Sequence, residues 1–201
     1  MPNAKAAVFD LGNVLLEWHP EAFYDAKIGE NRRRAFFDEV PIEDMNMRSD
    51  LGEDLSTLTR DLAAAHPAWA DEIMIWWNNW LDICAPAIGG SVDILARLKS
   101  RGVPVCSLTN FGVETLNIAK REYPFLNTFD HEFVSGALRV MKPDPAIYEA
   151  VERGTGLAGA DLIFADDKPE NIEAARARGW QVHLFEGPDG WEQALKQAGL
   201  L

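Results

Sequence analysis

The chain has 201 residues, 47% of them hydrophobic and 25% charged, enough for one full hydrophobic core with a modest insertion. Its 19 Lys and Arg stand against 32 Asp and Glu, and the resulting net charge of −13 argues against nucleic acid or an anionic membrane as the main partner, since both need a basic footprint. Cys84 and Cys106 lack metal-ligand spacing, which argues against a zinc site or a disulfide framework, and no apolar run resembles a signal peptide or a membrane span, so a soluble cytoplasmic protein is expected.

The run Ala6-Ala7-Val8-Phe9 is predicted as a strand that delivers Asp10 to its end and then turns at Gly12 and Asn13. An open α/β sheet builds its site from such strand ends, although an Asp before a Gly also fits a simple turn cap. Residues 17–88 show no convincing strand. Pro20 opens one helix, Asn31 can cap a second, residues 45–52 read as a loop or broken helix, and Ser56 can cap a helix through Ala65. Over residues 70–84, Ile73, Trp76, Trp77, Trp80 and Cys84 recur at helical spacing. Core packing is the expected use of this stripe, with one ring facing a cleft as the sharper alternative. Arg32-Arg33-Arg34 reads as a solvated helix face.

From Gly89 the elements alternate. A helix over 91–100 ends at Gly102, and a strand over 103–109 follows, then a helix through 116–121 and a strand over 131–135. The next helix, 145–153, has Asp144 as N-cap, Pro145 at its first position and Gly154 past its end. Strand 162–165, helix 169–178, strand 181–185 and helix 191–198 complete the chain. This order predicts an α/β fold, a Rossmann-like parallel sheet flanked by helices. The first strand must join that sheet, so the core comprises residues 1–16 and 89–201. An all-helical cap, residues 17–88, is inserted over the mouth of the site.

The strand ends and their following loops then offer Asp10, Thr109, Lys142 and the pair Asp166-Asp167 at one edge of the sheet. Asp10 can attack phosphorus to give an aspartyl-phosphate that water hydrolyses. Mg²⁺ suits an oxygen set of Asp10, the Gly12 carbonyl, Asp166 and Asp167. Thr109 and nearby N–H groups can hold phosphoryl oxygens, and Lys142 supplies a fixed cation. Singly, each residue also has a plain structural use: a strand end, a surface lysine, a helix cap.

The ordered set Phe9-Asp10-Leu11-Gly12-Asn13-Val14, Leu108-Thr109-Asn110, Lys142-Pro143-Asp144-Pro145 and Phe164-Ala165-Asp166-Asp167 resembles the haloacid dehalogenase (HAD) superfamily. Within it the chain is similar to members with a helical cap after the first strand, in look closest to the sugar-phosphatase-like branch with a D-x-G-N-V motif. The resemblance implies Asp10 as nucleophile, Thr109 and Lys142 as phosphate contacts, and Asp10, Gly12 and Asp167 as Mg²⁺ ligands with Asp166 assisting. It further implies polar contacts from Asn13 and Asn110, and a loop-fixing role for Asn171. The substrate implied is a small phosphorylated metabolite, such as a sugar phosphate.

One departure stands out. Phosphatases of this family usually carry a second Asp two residues after the nucleophile as general acid and base, and this chain has Gly12 there. A good leaving group would lessen the need for that acid, and Glu17 or His19 could approach the site, though each reads better as a surface residue. The alternatives are a 2-haloacid dehalogenase, in which Asp10 attacks carbon without a metal, and an inactive phosphate-binding relative. Glu17, Trp18, the loop 50–52 and the tryptophan stripe are the candidates for reading the substrate.

Overall fold

The computed structural model describes residues 3–201. Met1 and Pro2, which the sequence reading includes in the core, lie outside the described residues. The strands are β1 (Ala6–Phe9), β2 (Val105–Thr109), β3 (His131–Val134), β4 (Leu162–Asp166) and β5 (Gln181–Leu184), and they form one parallel sheet in the order β3-β2-β1-β4-β5. Between β1 and β2 run α1 (Pro20–Ile28), α2 (Glu30–Glu39), α3 (Ile42–Asp50), α4 (Leu55–Ala65), α5 (Ala70–Asn78), α6 (Trp80–Ile83) and α7 (Gly89–Ser100). Then come α8 (Val113–Glu122), α9 (Ser135–Leu138), α10 (Pro145–Thr155), α11 (Pro169–Ala177) and α12 (Pro188–Gln197).

β1 holds the centre because every side chain in it is apolar and buried. The period-2 alternation of a strand splits those side chains between two cores. Ala7 and Phe9 join Val105, Ile163 and Ala165 on one face, covered by Leu95 and Leu98 of α7 and Trp191 and Leu195 of α12. Ala6 and Val8 join Cys106, Leu108, Leu162 and Phe164 on the other, covered by Ile147 and Tyr148 of α10 and Ile172 of α11. Phe9 pairs with Ser107 on one side and Ala165 on the other, so Asp10 emerges between the carboxyl ends of β2 and β4. That is the topological switch point of the sheet.

Hydrogen bonds tie the helices α1–α6 to the rest of the chain at two places, and α6 also packs against α8 and Phe111. Where the chain leaves and returns, Leu16 bridges Ala87, and the Ile88 N–H donates to the Leu15 carbonyl at 2.8 Å. The second place is the end of α3. The Ser135 hydroxyl donates to the Asp50 carbonyl at 2.5 Å while accepting from the Phe111 N–H at 2.9 Å. Gly52, at φ +98°, lies so close to the other side that a Cβ on it would sit 2.4 Å from the Gly136 carbonyl oxygen. No helix among the described residues is long and apolar enough to cross a membrane.

Local readings differ from the structure in informative ways. Residues 45–52, expected as a loop or broken helix, mostly belong to α3. Its first turn carries Glu43 and Asp44, which complement the helix dipole, and Ile42, Met45 and Ser49 are buried along one side. Asp54, not Ser56, caps α4, accepting from the Thr57 N–H and the Ser56 hydroxyl, each at 2.7 Å. Helix α2 starts at Glu30, after Gly29, so Asn31 is not its cap. The tryptophan stripe is two helices, broken at Asn79. Gly154 lies inside α10, where a Cβ would meet the Phe133 ring at 2.7 Å, and the left-handed Gly156 ends the helix instead.

Two outcomes follow for stability. Gly52→Ala lowers stability by more than about 1 kcal/mol in denaturant unfolding, because both the positive φ and the backbone oxygen opposite resist a side chain. Asp54→Ala costs about 1 kcal/mol through the lost cap. The Asp54 carboxyl is held down to about 2 by hydrogen bonds from Thr57 and Ser56. Its contribution is therefore complete above pH ~4, the ordinary carboxylate value, and is lost as the pH falls towards 2. Unfolding curves of wild type and variant converge over that range.

Candidate active site

The carboxyl edge of the sheet opens into a cavity of about 260 Å³. From the strand ends and their loops it receives Asp10, Gly12, Asn13, Thr109, Asn110, Lys142 and Asp167. Of the residues predicted for catalysis, phosphate and metal, all except Asp166 line it, and Asp166 is held behind Lys142; of the predicted loop 50–52 only Asp50 lines it.

Lys142 is the hub. Its ammonium sits 2.9 Å from Asp10 Oδ2 and 2.6 Å from Asp166 Oδ2, and the residue is 3% exposed. Burial works against its charge, but the two carboxylates outweigh that and hold it above the usual lysine range. Its backbone is clamped by the Asn110 side chain, which accepts from the Lys142 N–H at 2.8 Å and donates to the Lys142 carbonyl at 3.0 Å. Asn110 thus lines the cavity with its amide already committed to placing Lys142.

Asp166 is completely buried and saturated with donors. Besides Lys142, it accepts from the Lys168 N–H at 2.8 Å and from the Asn171 amide at 2.9 and 3.0 Å. Asp167 reaches the cavity and accepts from the Asn13 amide at 3.0 Å. Asn13 adopts φ +53°, a left-handed conformation that Asn tolerates, and its other amide atom accepts from the Trp18 N–H at 2.9 Å. One Asn therefore ties the loop after β1 to the loop after β4 and sets Trp18 at the cavity wall.

Asp10, 7% exposed, accepts from the Leu11 N–H at 2.7 Å. Burial pushes its carboxyl up to about 7; Lys142 opposes the rise, and Asp166 and Asp167 add to it. Carboxylate oxygens of Asp10, Asp166 and Asp167 lie within 4.8 Å of one another. Three acids against one ammonium leave negative charge uncompensated, and an all-oxygen set of this kind suits a hard divalent cation.

The opposite wall comes from the helices between β1 and β2. Glu43, Asn46, Met47 and Asp50 of α3, Trp80 of α6 and Cys84 line it, together with Trp18, Phe111 and Met141. Of the tryptophan stripe, Trp76 packs internally near Tyr24 and Trp18, at 6.1 and 5.8 Å between ring centres, whereas Trp80 reaches the cavity against Phe111 at 5.2 Å. Trp77 is half-buried against the same core. Glu17 and His19 pair with each other at 3.6 Å and line no part of the cavity. Sequence reasoning missed Glu43, Asn46 and Met47. Their signal was the i, i+3, i+4 pattern of a helix that Ser49, Asp50 and Gly52 made look like a loop.

The haloacid dehalogenase-like hydrolase family matches residues 4–179. A sesquiterpene phosphatase, AstK of Aspergillus oryzae, is 26% identical over 181 residues, spanning 87% of this chain and 86% of its own. A haloacetate dehalogenase of a Moraxella species is 28% identical over 88 residues, 44% of this chain and 39% of its own. The crystal structure of a HAD family enzyme from Bacteroides thetaiotaomicron, in complex with magnesium and inorganic phosphate, shares the fold with a TM-score of 0.70 at 19% identity, covering 92% of this chain and 96% of that one.

The hub sets one expectation. Lys142→Met leaves buried carboxylates without their ammonium and costs roughly 3–5 kcal/mol in unfolding experiments at neutral pH with chelator present. With the ammonium gone, the Asp10 carboxyl rises further above its unfolded value, so the folded state binds the extra proton. The deficit is therefore largest at alkaline pH, narrows as the pH falls towards about 7, where wild-type Asp10 itself takes up its proton, and is level below that.

Proposed function

The chain belongs to the haloacid dehalogenase-like hydrolase family, and we propose that it is a Mg²⁺-dependent phosphatase acting on a small phosphorylated metabolite. The observation that carries this reading is the meeting of Asp10, Asp166 and Asp167 within 4.8 Å of one another, with only one buried ammonium, Lys142, paired to two of them. Asp10, Asp167 and the Gly12 carbonyl would hold Mg²⁺, with Asp166 supporting the set from behind. When bound, the cation neutralises charge on the transferring phosphoryl group and offsets its repulsion by the nucleophile.

An Asp10 oxygen attacks phosphorus, the bond to the alcohol oxygen breaks, and an aspartyl-phosphate forms; water then attacks phosphorus and releases inorganic phosphate. Thr109 and Lys142 hold phosphoryl oxygens. Asn13, Asn110 and Asn171 act by fixing the loops that carry these groups. Residues 1–16 and 89–201 form the core domain in this reading. Residues 17–88 form a helical cap that supplies the wall facing the leaving group. The cap wall pairs polar Glu43, Asn46 and Asp50 with apolar Trp18, Met47 and Trp80. Sugar phosphates and the phosphates of apolar alcohols, the latter suggested by the AstK likeness, are the two classes to compare. Two buried free thiols, Cys84 and Cys106, fit a cytoplasmic setting.

Halide displacement is the second reading, favoured by the dehalogenase likeness. That reaction uses no metal, however, so the haloacid's own carboxylate would meet the clustered Asp10, Asp166 and Asp167 with only Lys142 to offset them. Phosphate release should be measured across the two substrate classes with Mg²⁺ and with chelator. Release that requires Mg²⁺ and falls at least 10³-fold in Asp10→Asn is the expected result. Halide release from 2-chloropropionate without phosphate release from any substrate would replace the phosphatase with the dehalogenase.

A further inference from the structure

Position 12 leaves the proposed reaction without its usual proton donor, since Gly12 carries no side chain and nothing lies within 4 Å of where a Cβ would be. The leaving alcohol needs a proton as the P–O bond breaks, because an alkoxide is a poor leaving group. A replacement donor must line the same cavity, face the leaving-group side and be held in place. Glu17 and His19 fail the first requirement.

Asp50 lines the cavity that contains Asp10, is held in place, and stands on α3, among the inserted helices that the phosphatase reading sets facing the leaving group. Its backbone carbonyl is bound by the Ser135 hydroxyl, and its Oδ2 accepts from the Asn46 amide at 3.1 Å. Its neighbours are in close contact with the core: a Cβ at Gly112 would meet the Ser49 hydroxyl at 2.6 Å, and one at Gly52 the Gly136 carbonyl. The acid is therefore mounted on the core loops after β2 and β3, although it belongs to the inserted helices. Building on the phosphatase reading, we propose that Asp50 is the general acid that protonates the leaving alcohol and then the base for the hydrolytic water.

The proton balance closes. In the first step the Asp50 carboxyl gives its proton to the departing oxygen as the Asp10–phosphorus bond forms. In the second step the Asp50 carboxylate takes a proton from the water that attacks phosphorus, and the bond to Asp10 breaks. The charged and titratable groups around Asp50 are Asp10 on the strand side, Lys168 on the loop after β4 and the Cys84 thiol at the end of α6. Burial pushes the Asp50 carboxyl up to about 8, with the Gly112 N–H and Lys168 opposing and Asp10 adding to the rise, the direction a proton donor needs.

The test is a leaving-group series, from p-nitrophenyl phosphate to simple alkyl phosphates, with Mg²⁺ present. In wild type, kcat/KM should depend weakly on the leaving-group pKa. In Asp50→Asn it should fall about 10²-fold for the alkyl esters but at most several-fold for the nitrophenyl ester, steepening the dependence. Equal losses on both esters, or no loss on either, would overturn the assignment. If the variant does not fold, as judged by its thermal unfolding, the wild-type series decides alone: a steep dependence means that no donor acts. Absence of Mg²⁺-dependent release from any ester in wild type, with no difference from Asp10→Asn, would instead mark failure of the phosphatase reading itself.

Discussion

A single buried ammonium organises this molecule. An isolated charge in the interior costs several kcal/mol, so Lys142 is tolerable only if Asp10 and Asp166 stay within hydrogen-bond reach. That requirement ties together segments far apart in sequence: the end of β1, the end of β4 and the loop before α10. The polar side chains nearby serve the same constraint. Asn110 grips the backbone of Lys142 at both its N–H and its carbonyl, and Asn171 grips both oxygens of Asp166. Because the acids outnumber the ammonium, the same arrangement that fixes the geometry leaves a negative excess at the cavity floor.

That excess sits in a chain whose net charge is already −13. The field of the whole surface therefore does nothing to attract an anionic substrate, and recognition of phosphate has to be local. Lys142 and a cation among the three carboxylates provide that local reversal of sign. The net charge gives no long-range attraction for a polyanion, and the positive charge that the phosphatase reading needs is confined to the cavity floor.

The core was legible in the sequence because its signals are local and repeated. Alternating strands and helices from Gly89 onwards, and apolar runs that end in Asp10, Thr109 and Asp166, need no tertiary knowledge to read. What escaped was set by contacts between distant segments. Gly154 looks like a helix stop, yet it stays helical because Phe133 of β3 fills the space beside it. Residues 45–52 look like a loop, yet burial of Ile42, Met45 and Ser49 on a shared side carries the helix to Asp50. The same misreading hid Glu43, Asn46 and Met47 as wall residues. Asn13 and Asn110 were legible as residues near the site, but not as clamps, because their partners lie 154 and 32 positions away.

The division of the cavity between core and inserted helices has a chemical consequence. A nucleophilic carboxylate must be ionised, and Asp10 gains that from Lys142 and from any cation beside Asp166 and Asp167. A proton donor must stay protonated, which the same cationic surroundings would oppose. An acid on the loop of Gly12, next to the metal ligands, would feel both effects at once. Placing the carboxyl on α3 instead sets it in a wall that also holds Trp80, Cys84 and Phe111, where burial dominates its ionisation. Burial raises both carboxyls, Asp10 to about 7 and Asp50 to about 8, so it is a cation bound beside Asp10, Asp166 and Asp167 that would ionise the one while the other keeps its proton.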